Sequence, residues 1–270
     1  MSWIQALLLG LLQGVTEFLP VSSSGHLVLV PWLLGWPAPT LAFDTLVHWG
    51  TAAAVVGYFW RDWLELLQGA WEALRSRSLD DPRARLLLWL VIGTLPAALA
   101  GWALEDFFEG MFGRPAAAAG FLLVTASILT LVESGSRRDR SLAQMTWLDA
   151  LLVGLAQAAA ILPGISRSGS TIAAGMARGQ ERQHAARFSF LLSTPIILGA
   201  GLLQVADLLG SGSLSAQLPL LLVGFLAALL AGLACIHFLL RYLQRRSLYP
   251  FAIYCAFVGL GGLVVALVRG

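Results

Sequence analysis

The sequence predicts an all-α polytopic membrane protein, with six transmembrane helices and two re-entrant helical hairpins arranged as an inverted repeat. Three observations predict it. The 270 residues are 58% hydrophobic and only 12% charged, about half the charge of an average soluble domain, and the mean hydropathy is +0.78. Apolar stretches of about 20 residues, the length a helix needs to cross a bilayer, recur along the chain. Two further apolar stretches are broken by proline, glycine and serine at matching places. So few charges cannot cover a water-facing surface, which excludes a soluble globular protein, a disordered chain and a nucleic-acid binder. Cys235 and Cys255 lie in apolar stretches, so no disulfide framework is expected.

The first element spans residues 1–34. Glu17, Pro20 and the run Ser22-Ser23-Ser24-Gly25 split it into two short helices around a polar turn. Halves of roughly 10 to 16 residues are too short to cross alone, so a hairpin returning to its own side is expected. No arginine precedes Arg61, so this stretch lacks the basic start of a cleaved signal peptide. The first span is Leu41–Trp60, interrupted only by Asp44 and His48. Leu86–Leu104 and Pro115–Val132 follow without a charge. Residues 148–177 form the second hairpin, broken by Pro163, Gly164, Arg167 and Gly169. The last spans are Phe188–Ala206, Leu218–Leu240 and Ser247–Val268, with a loop at Gly210–Ser215.

All 17 basic residues are arginine. With both hairpins returning to their own side, one face collects 14 of them, the other only Arg114 and Arg269, and Arg167 lies in a hairpin turn. The positive-inside rule makes the 14-arginine face cytoplasmic. Both termini and the first hairpin then lie outside, and the second hairpin enters from the cytoplasm.

The hairpin turns resemble each other. Leu19-Pro-Val-Ser-Ser-Ser-Gly25 matches Leu162-Pro-Gly-Ile-Ser-Arg-Ser-Gly169, and Phe43-x-x-Leu46 and Phe188-x-x-Leu191 recur downstream. Residues 1–270 thus form one membrane domain of two repeats, 1–147 and 148–270, each a hairpin followed by three spans. An odd number of spans inverts the second copy, and inverted repeats with interrupted segments place a binding site at the midplane.

Pro20 and Pro163 cannot continue the helices before them, and the serines that follow are good N-caps. Each turn should present free amides and the positive end of a helix dipole, a site for an anion such as phosphate. Arg167 adds a planar fork suited to two phosphate oxygens. Glu17, Ser22, Ser23, Ser24, His26, Ser166, Arg167 and Ser168, with Ser170 and Thr171, are the polar groups there. Serines in membrane helices commonly bond to the backbone, so most of these hydroxyls have a structural reading as well. A Glu and an Arg within the membrane are functional hypotheses by default; a plain Glu17–Arg167 ion pair is the alternative. Gln13 and Glu17 share a helix face, as do Asp44 and His48, which either line the cavity or pair with each other.

The runs Gln13-Gly-Val-Thr-Glu17-Phe-Leu-Pro-Val-Ser-Ser-Ser-Gly25-His26 and Pro163-Gly-Ile-Ser-Arg-Ser-Gly169 resemble the undecaprenyl-diphosphate phosphatase family, the bacitracin-resistance proteins of bacterial membranes. The resemblance covers nearly the whole chain. It implies hydrolysis of a C55 polyprenyl diphosphate to the monophosphate in the bacterial plasma membrane, at a site open to the outer face. It implies Glu17 as the acidic residue, Ser23 as the nucleophile, His26 as the motif histidine and Arg167 as the phosphate-binding arginine. Gln13, Ser22, Ser24, Gly25, Ser166, Ser168 and Gly169 complete the substrate-binding set. Relatives often carry Glu where this chain has Gln13, which weakens a carboxylate pair as a metal chelate. Glu17 with substrate phosphates can still hold Mg²⁺ or Ca²⁺, and no organic cofactor is expected. Direct attack by water, without a phosphoserine, stays open. So does transport of the lipid phosphate, since inverted repeats are also transporter architecture; a purely structural subunit fits the buried Glu and Arg poorly.

Overall fold

The computed structural model describes the backbone of residues 1–210 and 214–269 and the side chains of residues 1–202 and 218–269. Among the described residues there are twelve α-helices and no strand. In chain order these are α1 (Trp3–Phe18), α2 (Ser23–Leu34), α3 (Leu41–Tyr58), α4 (Trp60–Ser76), α5 (Pro82–Ala103), α6 (Glu105–Phe112), α7 (Pro115–Gly135), α8 (Trp147–Ala159), α9 (Arg167–Ala177), α10 (Arg182–Gly210), α11 (Leu214–Tyr242) and α12 (Tyr249–Arg269).

Both expected hairpins are present as pairs of short helices, α1–α2 and α8–α9. α1 is the longest of the four at 16 residues, about 24 Å at 1.5 Å per residue, short of a hydrocarbon core of about 30 Å. α1 packs along α11, and α8 packs along α5. Glycine makes both contacts close. A Cβ on Gly10 would stand 2.5 Å from the Gly224 carbonyl oxygen, and one on Gly154 would stand 2.5 Å from the Gly93 carbonyl oxygen. Small residues of this kind let membrane helices pack backbone to backbone.

Five helical segments are long and apolar enough to cross a bilayer: Pro82–Ala103, Pro115–Gly135, Arg182–Leu202, Leu218–Tyr242 and Tyr249–Arg269. Each overlaps one of the five expected spans from Leu86 onward, with ends that differ by a few residues. The region of the expected first span, Leu41–Trp60, is α3, 18 residues carrying Asp44 and His48, which is not among those five segments; it packs against α10 and α11. Of the expected Gly210–Ser215 loop, residues 211–213 lie outside the described residues, while Gly210, Leu214 and Ser215 are helical in backbone.

Two helices have no counterpart in the sequence reading. α4 exposes Trp60, Leu64, Leu67, Trp71 and Leu74 and carries Arg61 and Arg75, the pattern of a helix lying in a membrane interface. α6 is a short segment joining α5 to α7. The arginine-rich loops are tied down by buried acids. Glu133 pairs with Arg138 and Arg182 and accepts from the Leu248 amide. Asp149 pairs with Arg140 and Arg178. In the loop before α5, hydrogen bonds from Arg83 hold the Asp81 carboxyl below its ordinary value. Cys235 and Cys255 are buried free thiols.

Candidate active site at the paired hairpin turns

Each turn is closed by its own serine. Ser22 caps α2, its Oγ accepting from the Gly25 amide at 3.2 Å. Ser166 caps α9, its Oγ accepting from the Gly169 amide at 3.0 Å. The turns are also stitched to each other. Ser22 Oγ accepts from the Gly164 amide at 3.2 Å, and Ser168 Oγ donates to the Leu19 carbonyl at 2.9 Å. Thr125 of α7 joins in, donating to the Gly164 carbonyl at 2.9 Å and accepting from the Ser166 amide at 3.0 Å.

The backbone here leaves little freedom. Ser22 has φ of 70° and Gly164 φ of 101°, the region that disfavours side chains. A Cβ on Gly164 would lie 2.2 Å from the Ala118 carbonyl oxygen. A Cβ on Gly25 would lie 3.0 Å from Gly164 Cα, so Gly25 is the place where the two turns touch.

Aligned on their caps, the turns put Ser23 and Arg167 at the same position, the first residue of α2 and of α9. The first amides of a helix have no partner within it, so both positions combine a functional side chain with free backbone donors and a positive dipole end. Glu17, at the end of α1, joins the two. Ser23 Oγ donates to Glu17 Oε2 at 2.5 Å, and Arg167 Nη2 donates to Glu17 Oε1 at 2.6 Å. Gln13 Nε2 donates to Glu17 Oε2 at 3.0 Å, and Arg167 Nη1 donates to the Ser189 carbonyl at 3.2 Å. Glu17 is 6% exposed, and the Arg167 side chain is 14% exposed. A buried carboxylate thus meets a hydroxyl on one oxygen and a guanidinium on the other.

Glu17, Ser23, Ser24 and Arg167 line a cavity of about 810 Å³. Apolar residues of α2, α3 and α10 continue its wall, among them Trp32, Leu41, Ile196 and Ile197. That combination of a polar end and an apolar trough suits an anionic headgroup on a hydrocarbon chain.

Most of the expected residues fall into two groups. Gln13, Glu17, Ser23 and Arg167 come together. Ser22, Gly25, Ser166, Ser168 and Gly169 build the turns beneath them, and Ser24 lies beside Ser22 at 3.3 Å between hydroxyl oxygens. Thr171 is bonded to Ser189 Oγ and the Arg167 carbonyl, and Ser170 is buried. His26 is not brought to the cluster. Its Nδ1 meets the Ser22 carbonyl at 2.7 Å and its Nε2 meets the Tyr254 hydroxyl at 2.8 Å, so it braces α2 against α12. The histidine that lines the cavity is His48. Its Nδ1 is held by the Asp44 main-chain carbonyl at 2.7 Å, which leaves Nε2 toward other partners. Asp44 lines the cavity too, with Oδ1 buried and unpaired. Among the described residues no three His, Cys, Asp or Glu side chains cluster as a metal cage. Of the cavity's carboxylates Glu17, Asp44 and Glu109, Glu17 is engaged at both oxygens while Asp44 keeps one unpaired, so a cation here would take most of its shell from substrate and water.

The profile of a family described as "Bacitracin resistance protein BacA" matches residues 6–261. A protein of Thermomicrobium roseum named undecaprenyl-diphosphatase is 46% identical over 97% of this chain and 97% of its own length. Proteins of the same name from Desulforudis audaxviator, 43% identical over the whole of both chains, and Pelobacter propionicus, 44% identical over 100% of this chain and 99% of its own, are similar throughout. The chain therefore belongs to the bacitracin resistance protein BacA family.

Proposed function

We propose that the protein is a membrane phosphatase that hydrolyses undecaprenyl diphosphate to undecaprenyl phosphate and inorganic phosphate. It thereby returns the lipid carrier to peptidoglycan synthesis and confers bacitracin resistance. The carrying observation is the joining of Ser23 and Arg167 through Glu17 at two facing helix starts. A carrier that merely moved the lipid phosphate would need the anion site but no hydroxyl held on a carboxylate.

The chemistry follows from this geometry. The terminal phosphate takes the free amides of α2 and α9 and the Arg167 fork. Ser23 Oγ attacks the terminal phosphorus while its proton passes to Glu17. The bond to the bridging oxygen breaks, and undecaprenyl phosphate leaves along the apolar trough. Glu17 gives up the Ser23 proton to the departing lipid phosphate; water then attacks the phosphoserine while Glu17 takes one of its protons and passes it to Ser23 Oγ as the bond from Ser23 Oγ to phosphorus breaks, and inorganic phosphate departs with the other. Positioning and charge neutralisation supply most of the rate, as in phosphoryl transfer generally. Glu17 or Asp44 would hold Mg²⁺ or Ca²⁺ arriving with the substrate, and the cation would supply further neutralisation of phosphate charge. His26 acts by holding the first turn of α2 in place.

The two halves, 1–147 and 148–270, are one inverted repeat. The exchange of α1 on α11 for α8 on α5, and of the Ser22 cap for the Ser166 cap, supports this. The arginine-rich face is cytoplasmic and the cavity opens outward. Cysteines replacing Ser76 and Ser136 are expected to react with an impermeant thiol reagent only from the cytoplasmic side. One replacing Gly212, outside the described residues, should react from the outside. Outside labelling at Ser136 would reverse the topology. The activity itself is tested with purified protein in detergent, where a membrane no longer has two sides. Phosphate release from the lipid diphosphate, diminished by a chelator, is expected. No release under any cation condition would leave transport as the function.

A further inference from the structure

Gln157 lies in the last turn of α8, is 2% exposed, and has no hydrogen-bond partner at either Oε1 or Nε2. Buried polar side chains are paired in the large majority of cases, and each exception calls for a reason. Gln180 is a second buried glutamine without partners, but it packs beside Gly175 and Ala185, away from the cavity. Gln13 keeps one end free, but its other end is committed to Glu17. Gln157 is different: it lines the same cavity as Glu17, Ser23 and Arg167. It is a buried, neutral group with a free donor and a free acceptor, facing the space where a diphosphate is to be held.

The substrate has two phosphates, and the hairpin turns account for one. The terminal phosphate must lie within reach of Ser23 Oγ, where Arg167 and the first amides of α2 and α9 already surround it. The lipid-linked phosphate has no assigned donor. The cavity's remaining polar lining is Ser24, Thr45, His48, the indoles of Trp32, Trp36 and Trp49, the carboxylates of Asp44 and Glu109, which repel a phosphate, and the carboxamide of Gln157. Trp49 Nε1 is also buried and unpaired, but among these described residues Gln157 alone has both a free donor and a free acceptor on one buried side chain. We propose that Gln157 binds the lipid-linked phosphate, the leaving group, donating from Nε2 to one of its oxygens while Oε1 accepts from a water that accompanies it. This rests on the phosphatase reading above. The subsite recognises a feature shared by substrate and lipid product and absent from inorganic phosphate. A neutral donor suits it, because a fixed positive charge would hold the lipid product and slow its release.

The test separates two inhibitors. Gln157→Met keeps length and removes both polar ends. The substrate-free protein should fold and melt at a higher temperature than the parent, because an unpaired buried amide has gone. The KM for undecaprenyl diphosphate and the inhibition constant of undecaprenyl phosphate should each rise about tenfold or more, as expected for loss of one hydrogen bond to a charged group. Inhibition by inorganic phosphate should change by less than about twofold on the same reasoning. Gln157→Glu, which brings a negative charge to the phosphate, should weaken lipid-phosphate inhibition further than Met does. Unchanged inhibition by undecaprenyl phosphate in both variants would overturn the assignment, as would a lowered melting temperature of Gln157→Met with KM intact, the mark of a structural glutamine. Arg167→Lys, run in parallel, should weaken inhibition by inorganic phosphate. If it does not, the phosphate site at the turns is wrong whatever Gln157 does. If it does and Gln157 changes nothing, only the Gln157 subsite fails.

Discussion

Arg167→Lys is expected to lose about 10²- to 10³-fold in turnover per folded molecule, although the positive charge remains. That is the size of losing one preorganised donor to a developing oxyanion. The structural reason is the fork. One arm of Arg167 holds Glu17 Oε1 at 2.6 Å and the other holds the Ser189 carbonyl at 3.2 Å. A lysine ammonium is a single point on a flexible stem and cannot span both while presenting further in-plane N–H donors to phosphate. A merely structural Glu17–Arg167 pair makes a different forecast. Both single replacements would then lose folded protein, and the charge-swapped double variant, Glu17→Arg with Arg167→Glu, would partly restore it. Phosphate release, normalised to monodisperse protein in detergent, distinguishes the two. Normal turnover in well-folded Arg167→Lys would exclude the bidentate clamp.

Ser23→Ala should lower turnover by about 10⁴-fold or more, the scale seen when a nucleophile is taken from groups that act as a unit. Its folding should survive. Ser23 is half-buried and its side chain makes one hydrogen bond, to Glu17. Its neighbour gives the contrast. Ser22 Oγ accepts from two amides, Gly25 and Gly164, and its φ of 70° is held by that arrangement. Ser22→Ala should therefore lower the melting temperature, while the molecules that remain folded keep activity. Equal losses of activity per folded molecule in both variants would mean that the turn, rather than one hydroxyl, is what catalysis needs. Glu17→Gln keeps the shape of the carboxylate and removes the base, and its turnover should fall with that of Ser23→Ala.

Much of the fold was legible because hydropathy and helix breakers act locally. The second hairpin, read as 148–177, is α8 and α9 over Trp147–Ala177, because Pro163 and the glycines around it forbid a continuous helix. Helix lengths were less legible. α10 starts at Arg182, before the apolar run at Phe188, since hydropathy marks what lipid can surround and not where the backbone stops coiling. α4 escaped notice because its apolar residues form a stripe and not a run; a period of 3.6 over Trp60, Leu64, Leu67, Trp71 and Leu74 would have found it.

The site divided along similar lines. Glu17 and Arg167 were readable as charged groups that lipid would not tolerate without a purpose, whereas Ser23 was one of several serines with a structural reading and was singled out only by the family resemblance. That Ser23 and Arg167 hold equivalent places was implicit in the repeat, since the Ser22 and Ser166 caps align. His26 stood in the motif, but its ring turns toward Tyr254, a partner on α12 that only the tertiary structure supplies. His48 was read, with Asp44, as either lining the cavity or pairing on one face, and Gln157 was not singled out from the apolar stretch around it. Which of them faces the cavity depends on helix rotation, set by distant contacts such as Gly154 on Gly93.

The stereochemical course at phosphorus tests the Ser23 mechanism most directly. A lipid diphosphate whose terminal group is an isotopically chiral thiophosphate is hydrolysed in labelled water, and the configuration of the released thiophosphate is determined. Transfer through a phosphoserine involves two in-line displacements, so retention is the expected result. Inversion would mean that water attacks the substrate directly, with Ser23 reduced to a hydrogen-bond partner of Glu17.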